Sequence, residues 1–367
     1  MRNLFLTLIC LTVAGCAGDR SFTPTVPEAV EIGTPVRVFV ATNRARDDRG
    51  MWSGDRSTGI DLLKTTVSVP PDHEPGTLNF GYDNPDPETE FTMADRDLYV
   101  GPAQFSAELR ERLLRHPPNE REVTLFVHGY NATQAETVFR VAQIRYDLQL
   151  RGETVAFSWP SRGKPLSYGY DQDSMTLSRD ALEQTLHYIE DAQPERILVV
   201  AHSMGSALVM EVLRQIDIAR PGWPAQTLGG VVLMSPDMDV DVFRSVMTRL
   251  DGVPQPFMIM SSERDKALRV SSRLRGQEPA DRLGSLSDLS RIEDLPVTLI
   301  DTTAYSKEAA SSHLVAVTSP GMINILLAAQ QLVRVFGDDP ELIPYLLGAD
   351  VSQGSDGRVV QFDPPPE

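Results

Sequence analysis

The sequence predicts an α/β fold: a mostly parallel central sheet flanked by helices, with antiparallel strands along its N-terminal edge. Short apolar runs recur at residues 123–127, 154–157, 197–200, 230–234, 257–260 and 297–300. Helical periodicity lies between several of them, at 133–148, 175–189, 205–216 and 240–250. Most of the runs lack polar alternation, so both faces of those strands must be covered. Strands of that kind, alternating with helices, build parallel sheets.

Composition fits one large core. The chain has 367 residues, 41% hydrophobic and 23% charged, which is ordinary for a globular protein. A net charge of −17 argues against binding to nucleic acid or to anionic headgroups, which attract basic surfaces.

The N-terminus reads as a signal rather than as fold. Arg2 precedes an apolar run over 4–14 that is too short to span a bilayer permanently. Val13-Ala14-Gly15-Cys16 resembles a bacterial lipobox, which predicts removal of residues 1–15 and acylation of Cys16. Cys10 and Cys16 are the only cysteines, so no disulfide, thiol nucleophile or zinc cluster is expected. Ala17 and Gly18 follow in place of Asp, which by lipoprotein sorting rules predicts the outer membrane, facing the periplasm. Acyl chains would anchor the protein there without a spanning helix.

Taken in order, residues 16–35 are rich in Pro, Thr and Glu and read as a tether. Residues 36–42 form the first strand and 65–69 another, so 36–100 are expected to make the antiparallel edge. A short helix over 108–115 ends before Pro117-Pro118. The parallel strands follow, then a last helix over 321–335. The folded domain is expected over 36–350, and the polar stretch 351–367 is expected to be disordered.

Chemistry is concentrated where apolar runs end, since ligands meet the carboxyl ends of such strands. Ala201-His-Ser-Met-Gly205 stops a β-branched run and opens a helix pattern at once, as a nucleophile elbow does. Ala201 replaces the first glycine of G-x-S-x-G. His128-Gly129 follows an earlier run, and the backbone N–H groups of Tyr130 and Met204 are the candidate oxyanion donors.

Of six histidines, His313 lies after the last parallel strand in a small-residue loop, where the order Ser…Asp/Glu…His puts the base. Asp265, after the run 257–260, is the favoured acid. Glu263 is its neighbour, and Asp237 and Asp239, one strand earlier, are the alternatives. Trp159-Pro160-Ser161 reads equally as pocket wall or structural corner, Asp171 as a helix N-cap, and 267–295 as a lid or as packing on the sheet. The sequence holds no metal cluster, phosphate loop or dinucleotide fingerprint, so no metal or cofactor is expected.

The set Ala41-Thr-Asn-Arg44, Val127-His-Gly-Tyr-Asn131, Phe157-Ser-Trp-Pro-Ser161, Ala201-His-Ser-Met-Gly205, Ser235-Pro-Asp237 and Asp265-Lys-Ala-Leu268 resembles a bacterial α/β-hydrolase family of unknown function, esterase- or lipase-like. The resemblance covers about 36–335. It implies the α/β-hydrolase fold and Ser203, Asp265 and His313 as a triad, in agreement with the residues themselves, and it implies no substrate. The expected activity is hydrolysis of a carboxylic ester, on a small molecule or a lipid of the cell envelope. Alternatives are an acyltransferase or amidase using the same site, and a catalytically inactive envelope binding protein.

Overall fold

A computed structural model of the protein describes residues 20, 23–286, 290–336 and 342–363. Among these, eleven strands form one sheet. They are β1 (Thr34–Arg46), β2 (Trp52–Val69), β3 (Thr92–Leu98), β4 (Glu122–Val127), β5 (Glu153–Ser158), β6 (Arg196–His202), β7 (Leu228–Met234), β8 (Phe257–Ser261), β9 (Thr298–Asp301), β10 (Ala349–Gln353) and β11 (Arg358–Phe362). The spatial order is β10-β11-β9-β8-β7-β6-β4-β5-β1-β2-β3. Every strand from β11 through β1 runs parallel to its neighbour, and β2, β3 and β10 pair antiparallel at the two edges.

The helices are α1 (Pro102–Leu113), α2 (Gln134–Asp147), α3 (Tyr168–Leu177), α4 (Arg179–Asp191), α5 (Met204–Ala219), α6 (Trp223–Thr227), α7 (Val240–Met247), α8 (Lys266–Leu274), α9 (Val315–Thr318), α10 (Pro320–Phe336) and α11 (Leu342–Leu346). α2 starts where Thr133 and Glu136 form a reciprocal capping box. It packs Val138, Phe139 and Ala142 with Val38, Val40 and Phe126, while α5 buries Leu208, Val212 and Leu213 in a second core with Leu125 and Val199.

β4 stands between β5 and β6, so the chain builds first toward one edge and then toward the other. That reversal falls at the carboxyl ends of β4 and β6, where doubly wound sheets bind ligands. The register pairs Val127 with Ala201, and Ala201 with Leu233, bringing three strand ends level.

Four sequence expectations change. β1 joins β5 in parallel, so only β2 and β3 run in the antiparallel manner expected of the whole 36–100 region. The helix expected over 175–189 is two helices, broken at Ser178, whose hydroxyl bonds the Ser174 carbonyl at 2.7 Å and accepts from Asn43 at 2.9 Å.

Within the expected tether, Val26 donates to the Met93 carbonyl and Ala29 is buried, its carbonyl held by Ser68 Oγ at 2.7 Å. The expected disordered tail holds strands: β11 continues the parallel sheet beyond β9, and buried Val359 and Val360 supply its apolar contacts. The polar residues between β10 and β11 that suggested disorder are a hairpin turn closed by Gly354 and Gly357. The signal segment, Cys16 and residues 364–367 lie outside the described residues. Among those described, no helix is long and apolar enough to cross a membrane.

Candidate active site

Ser203 occupies the sharp turn that the pentapeptide predicts. Its φ of 54° and ψ of −124° lie where a side chain is strained, at a cost of about 1–3 kcal/mol. The surroundings fix that conformation: its N–H donates to the Met234 carbonyl at 3.0 Å and its carbonyl accepts from Asp237 N–H at 3.1 Å. Gly205 is required, because a Cβ there would lie 2.4 Å from the His128 carbonyl oxygen and 2.7 Å from that of Val127. Ala201, fully buried in β6, fits the position that glycine usually takes.

The loop after β4 comes against this turn. A Cβ on Gly129 would lie 2.7 Å from Ser203 Cβ, so only glycine lets the chain pass there on its way to Tyr130. Met204 is the first residue of α5, where backbone N–H groups have no partner within the helix. The two candidate oxyanion donors thus belong to the two segments that flank Ser203.

His313 and Asp265 meet. His313 Nδ1 lies 2.6 Å from Asp265 Oδ2. The other oxygen, Oδ1, accepts from the N–H groups of Ala267 and Leu268 at 2.9 and 3.0 Å, capping α8. Asp265 is fully buried, and the His313 side chain is 20% exposed. The His313 loop is tied to the elbow through His202, whose Nε2 donates to the His313 carbonyl at 3.1 Å. The two rings lie 4.7 Å apart. Burial, with His313 beside it, drives His202 well below the ordinary imidazole range, so it stays neutral. No hydrogen bond joins Ser203 to His313 among the described residues; such bonds often close only with substrate.

The rival carboxylates have other partners. Asp237 forms a buried ion pair with Arg282, and accepts from Ser271 Oγ at 2.5 Å and Tyr168 Oη at 2.7 Å. Burial alone would raise its pKa, but Arg282 and the two hydroxyls hold it below the ordinary value. Asp239 caps α7 and accepts from Gln277. Glu263 is exposed. None of the three carboxylates contacts His313 among the described residues.

Within 267–295, Leu283 and Gly284 are tied to the loops after β7 and β8. Leu283 donates to the Met238 carbonyl, Gly284 to that of Pro236, and Ser262 to that of Gly284. An apolar groove of about 330 Å³ lies elsewhere, on the sheet face between α2 and α10, and none of Ser203, Asp265 and His313 lines it.

A polar shell behind the oxyanion corner was not legible in the sequence. Arg44 is almost wholly buried and donates to Ser158 Oγ at 2.8 Å and to the carbonyls of Ser161 and Ala132 at 2.7 and 2.8 Å. It also lies 3.3 Å from His128 Nε2. Burial and Arg44 push the His128 pKa down to about 3. The neutral ring stacks on Trp159 at 4.7 Å, and the indole N–H donates to the His128 carbonyl. Trp159 is therefore a structural corner. Asp171 is not an N-cap: it lies inside α3, accepts from Ser161 Oγ and the N–H of Arg162, and reaches the Asn131 N–H at 3.3 Å. Among the described residues no cluster of His, Cys, Asp and Glu could hold a metal ion.

This geometry meets an independent comparison. Residues 102–330 match the family model described as alpha/beta hydrolase of unknown function, DUF900. The chain belongs to that family. An uncharacterized protein of Nostoc sp. is 46% identical over 210 residues, covering 48% of this chain and 50% of its own length, so the chain spans about half of that relative. Among solved structures, a dienelactone hydrolase from Anabaena variabilis aligns over 75% of this chain and 92% of its own, at 12% identity and a TM-score of 0.36. Aspergillus fumigatus lipase B aligns over 58% and 53%, at 13% identity and a TM-score of 0.35. Membership makes this an α/β hydrolase with the mostly parallel sheet described above.

Proposed function

We propose that the protein is a serine esterase acting through Ser203, His313 and Asp265. The observation that supports this best is the His313 Nδ1–Asp265 Oδ2 contact at 2.6 Å, in a loop that His202 ties to the Ser203 elbow. With Nδ1–H given to Asp265, the lone pair of His313 is left on Nε2, the atom a general base uses. In the reaction, Ser203 Oγ attacks the ester carbonyl as His313 Nε2 takes its proton. The Tyr130 and Met204 amides stabilise the oxyanion, at about 3–4 kcal/mol for a donor of this kind. The C–O bond to the alcohol then breaks, and His313 returns the proton to the leaving oxygen. Water, deprotonated by the same imidazole, releases the acid from the acyl-enzyme.

The full chain is proposed to lose residues 1–15 and to carry lipid on Cys16, which would hold the hydrolase domain at the outer membrane facing the periplasm. A fluorophosphonate probe tests the catalytic reading. The wild type should be labelled and Ser203→Ala should not, with both equally folded. A folded wild type that takes no label would sink the esterase reading in favour of a binding protein.

A further inference from the structure

The net charge of −17 conceals a local reversal. Several surface cations are matched: Arg46 with Asp61, Arg220 with Glu190, Arg244 with Asp294, Arg291 with Asp241. Residues 264–275 differ. Arg264, Lys266, Arg269, Arg273 and Arg275 are all exposed, and none forms an ion pair among the described residues. Along the chain, the exposed acids that flank this stretch are Glu263 and Glu278, one beyond each end. α8 also turns Val270 and Leu274 outward, 55% and 66% exposed, while its inner face is Leu268, Ser271 and Ser272. A helix that buries serines and exposes aliphatic and cationic side chains together is built for a surface that is apolar below and anionic above.

This patch borders the site. Asp265 begins α8, and at the other end Arg275 donates to Tyr168 Oη at 2.9 Å. Tyr168 meets Tyr130 ring to ring at 5.3 Å. The Tyr130 hydroxyl bonds the Pro165 carbonyl, next to fully exposed Leu166 and exposed Lys164. Arg20 reaches the same rim, bonding Asn131 Oδ1 at 3.2 Å and the Gly163 carbonyl. Cys16 precedes Arg20 by four residues, at most about 14 Å of extended chain.

We propose that this rim, α8 together with the 162–167 loop, docks on an anionic lipid bilayer. On the esterase reading, from which the next step follows, the carboxyl edge of the sheet that bears Ser203 then faces the membrane, and the substrate is an ester dissolved in it. The docking itself does not depend on catalysis.

The test uses the chain from Ala17 onward, the proposed mature protein without Cys16, so that neither the signal segment nor an acyl anchor contributes, and flotation with two kinds of vesicle. Binding is expected to phosphatidylcholine vesicles containing phosphatidylglycerol, to fall as salt is raised, and to be weak on pure phosphatidylcholine. R269Q/R273Q should lower the partition coefficient about 30-fold, about fivefold per cation. V270S/L274S should lower it at all salt concentrations. Thermal unfolding of each variant checks that the fold survives. Equal binding to neutral vesicles, or undiminished binding by R269Q/R273Q, would overturn the proposal. So would heparin binding that needs the cations but not Val270 and Leu274, which would make the patch a polyanion site. Ser203→Ala should bind vesicles like its parent, so a failure of the esterase reading leaves this measurement intact.

Discussion

Asp237 and Asp265 end neighbouring strand-to-loop turns, and both are buried, yet their partners divide the chemistry between them. Asp237 faces a guanidinium and two hydroxyls, so its charge is already neutralised inside the fold. Asp265 spends one oxygen on two backbone amides and gives the other to an imidazole at 2.6 Å. The first arrangement fixes a loop. The second can respond to a proton arriving on His313. Position relative to the strands does not separate them; the partner does.

Substitution of each by asparagine breaks the comparison apart most sharply. Asp265→Asn keeps a good helix cap but presents an amide to Nδ1, and should cut turnover of a short soluble ester about 10⁴-fold while thermal stability changes little. Asp237→Asn leaves Arg282 buried without a counter-charge and should cost about 3–5 kcal/mol in denaturant unfolding, with a far smaller loss of turnover by the folded fraction. A reversed pattern would exchange the two assignments. Asp237→Leu with Arg282→Met, removing both charges, should recover most of the lost stability.

The same contrast explains what the sequence could tell. Ser203, Gly205 and Gly129 are legible because a tight turn and a close backbone approach demand small residues at fixed spacing. The parallel strands are legible because both faces are buried. His313 and Asp265 lie 48 residues apart, and chain order with strand position finds them. Asp237 satisfies the same criteria, and nothing local announces that Arg282, 45 residues on, will claim it. Arg44 stands out in the sequence only as part of a motif, since one arginine among many carries no sign that it will be buried. The terminal hairpin is hidden because a turn of Gly, Ser and Asp reads as disorder when its strand partner, β9, is some 60 residues earlier.

Arg44 extends the comparison to the other side of Ser203. Arg282 meets a carboxylate directly, whereas Arg44 meets carbonyl oxygens and the Ser158 hydroxyl, with Asp171 and Glu136 contributing from a distance. Its value is therefore geometric: it ties the loop bearing Tyr130 to the loop after β5. Arg44→Lys keeps the charge but cannot reach those acceptors as a rigid fork. It should lower kcat by up to about 10²-fold with KM little changed, as expected when an oxyanion donor is displaced and substrate binding is left intact. Equal changes in kcat and in stability alone, with no split between kcat and KM, would reduce Arg44 to a structural role.

The two buried imidazoles give the smallest and most diagnostic effect. His128, at about 3, and His202, well below 6.5, bind fewer protons in the folded chain than in the unfolded one between their folded values and 6.5. The unfolded state therefore gains on acidification, by up to about 1.4 kcal/mol per pH unit for each imidazole. Stability should be full above pH 6.5 and fall steadily as the pH drops below it. Asp237, held below 3.8, loses its contribution only at lower pH, so the first part of the decline belongs to the histidines. His128→Gln should flatten the melting-temperature profile in that upper range while leaving the more acidic limb in place. An unchanged slope in the variant would mean that His128 is protonated in the fold, and that Arg44 does not face a neutral ring.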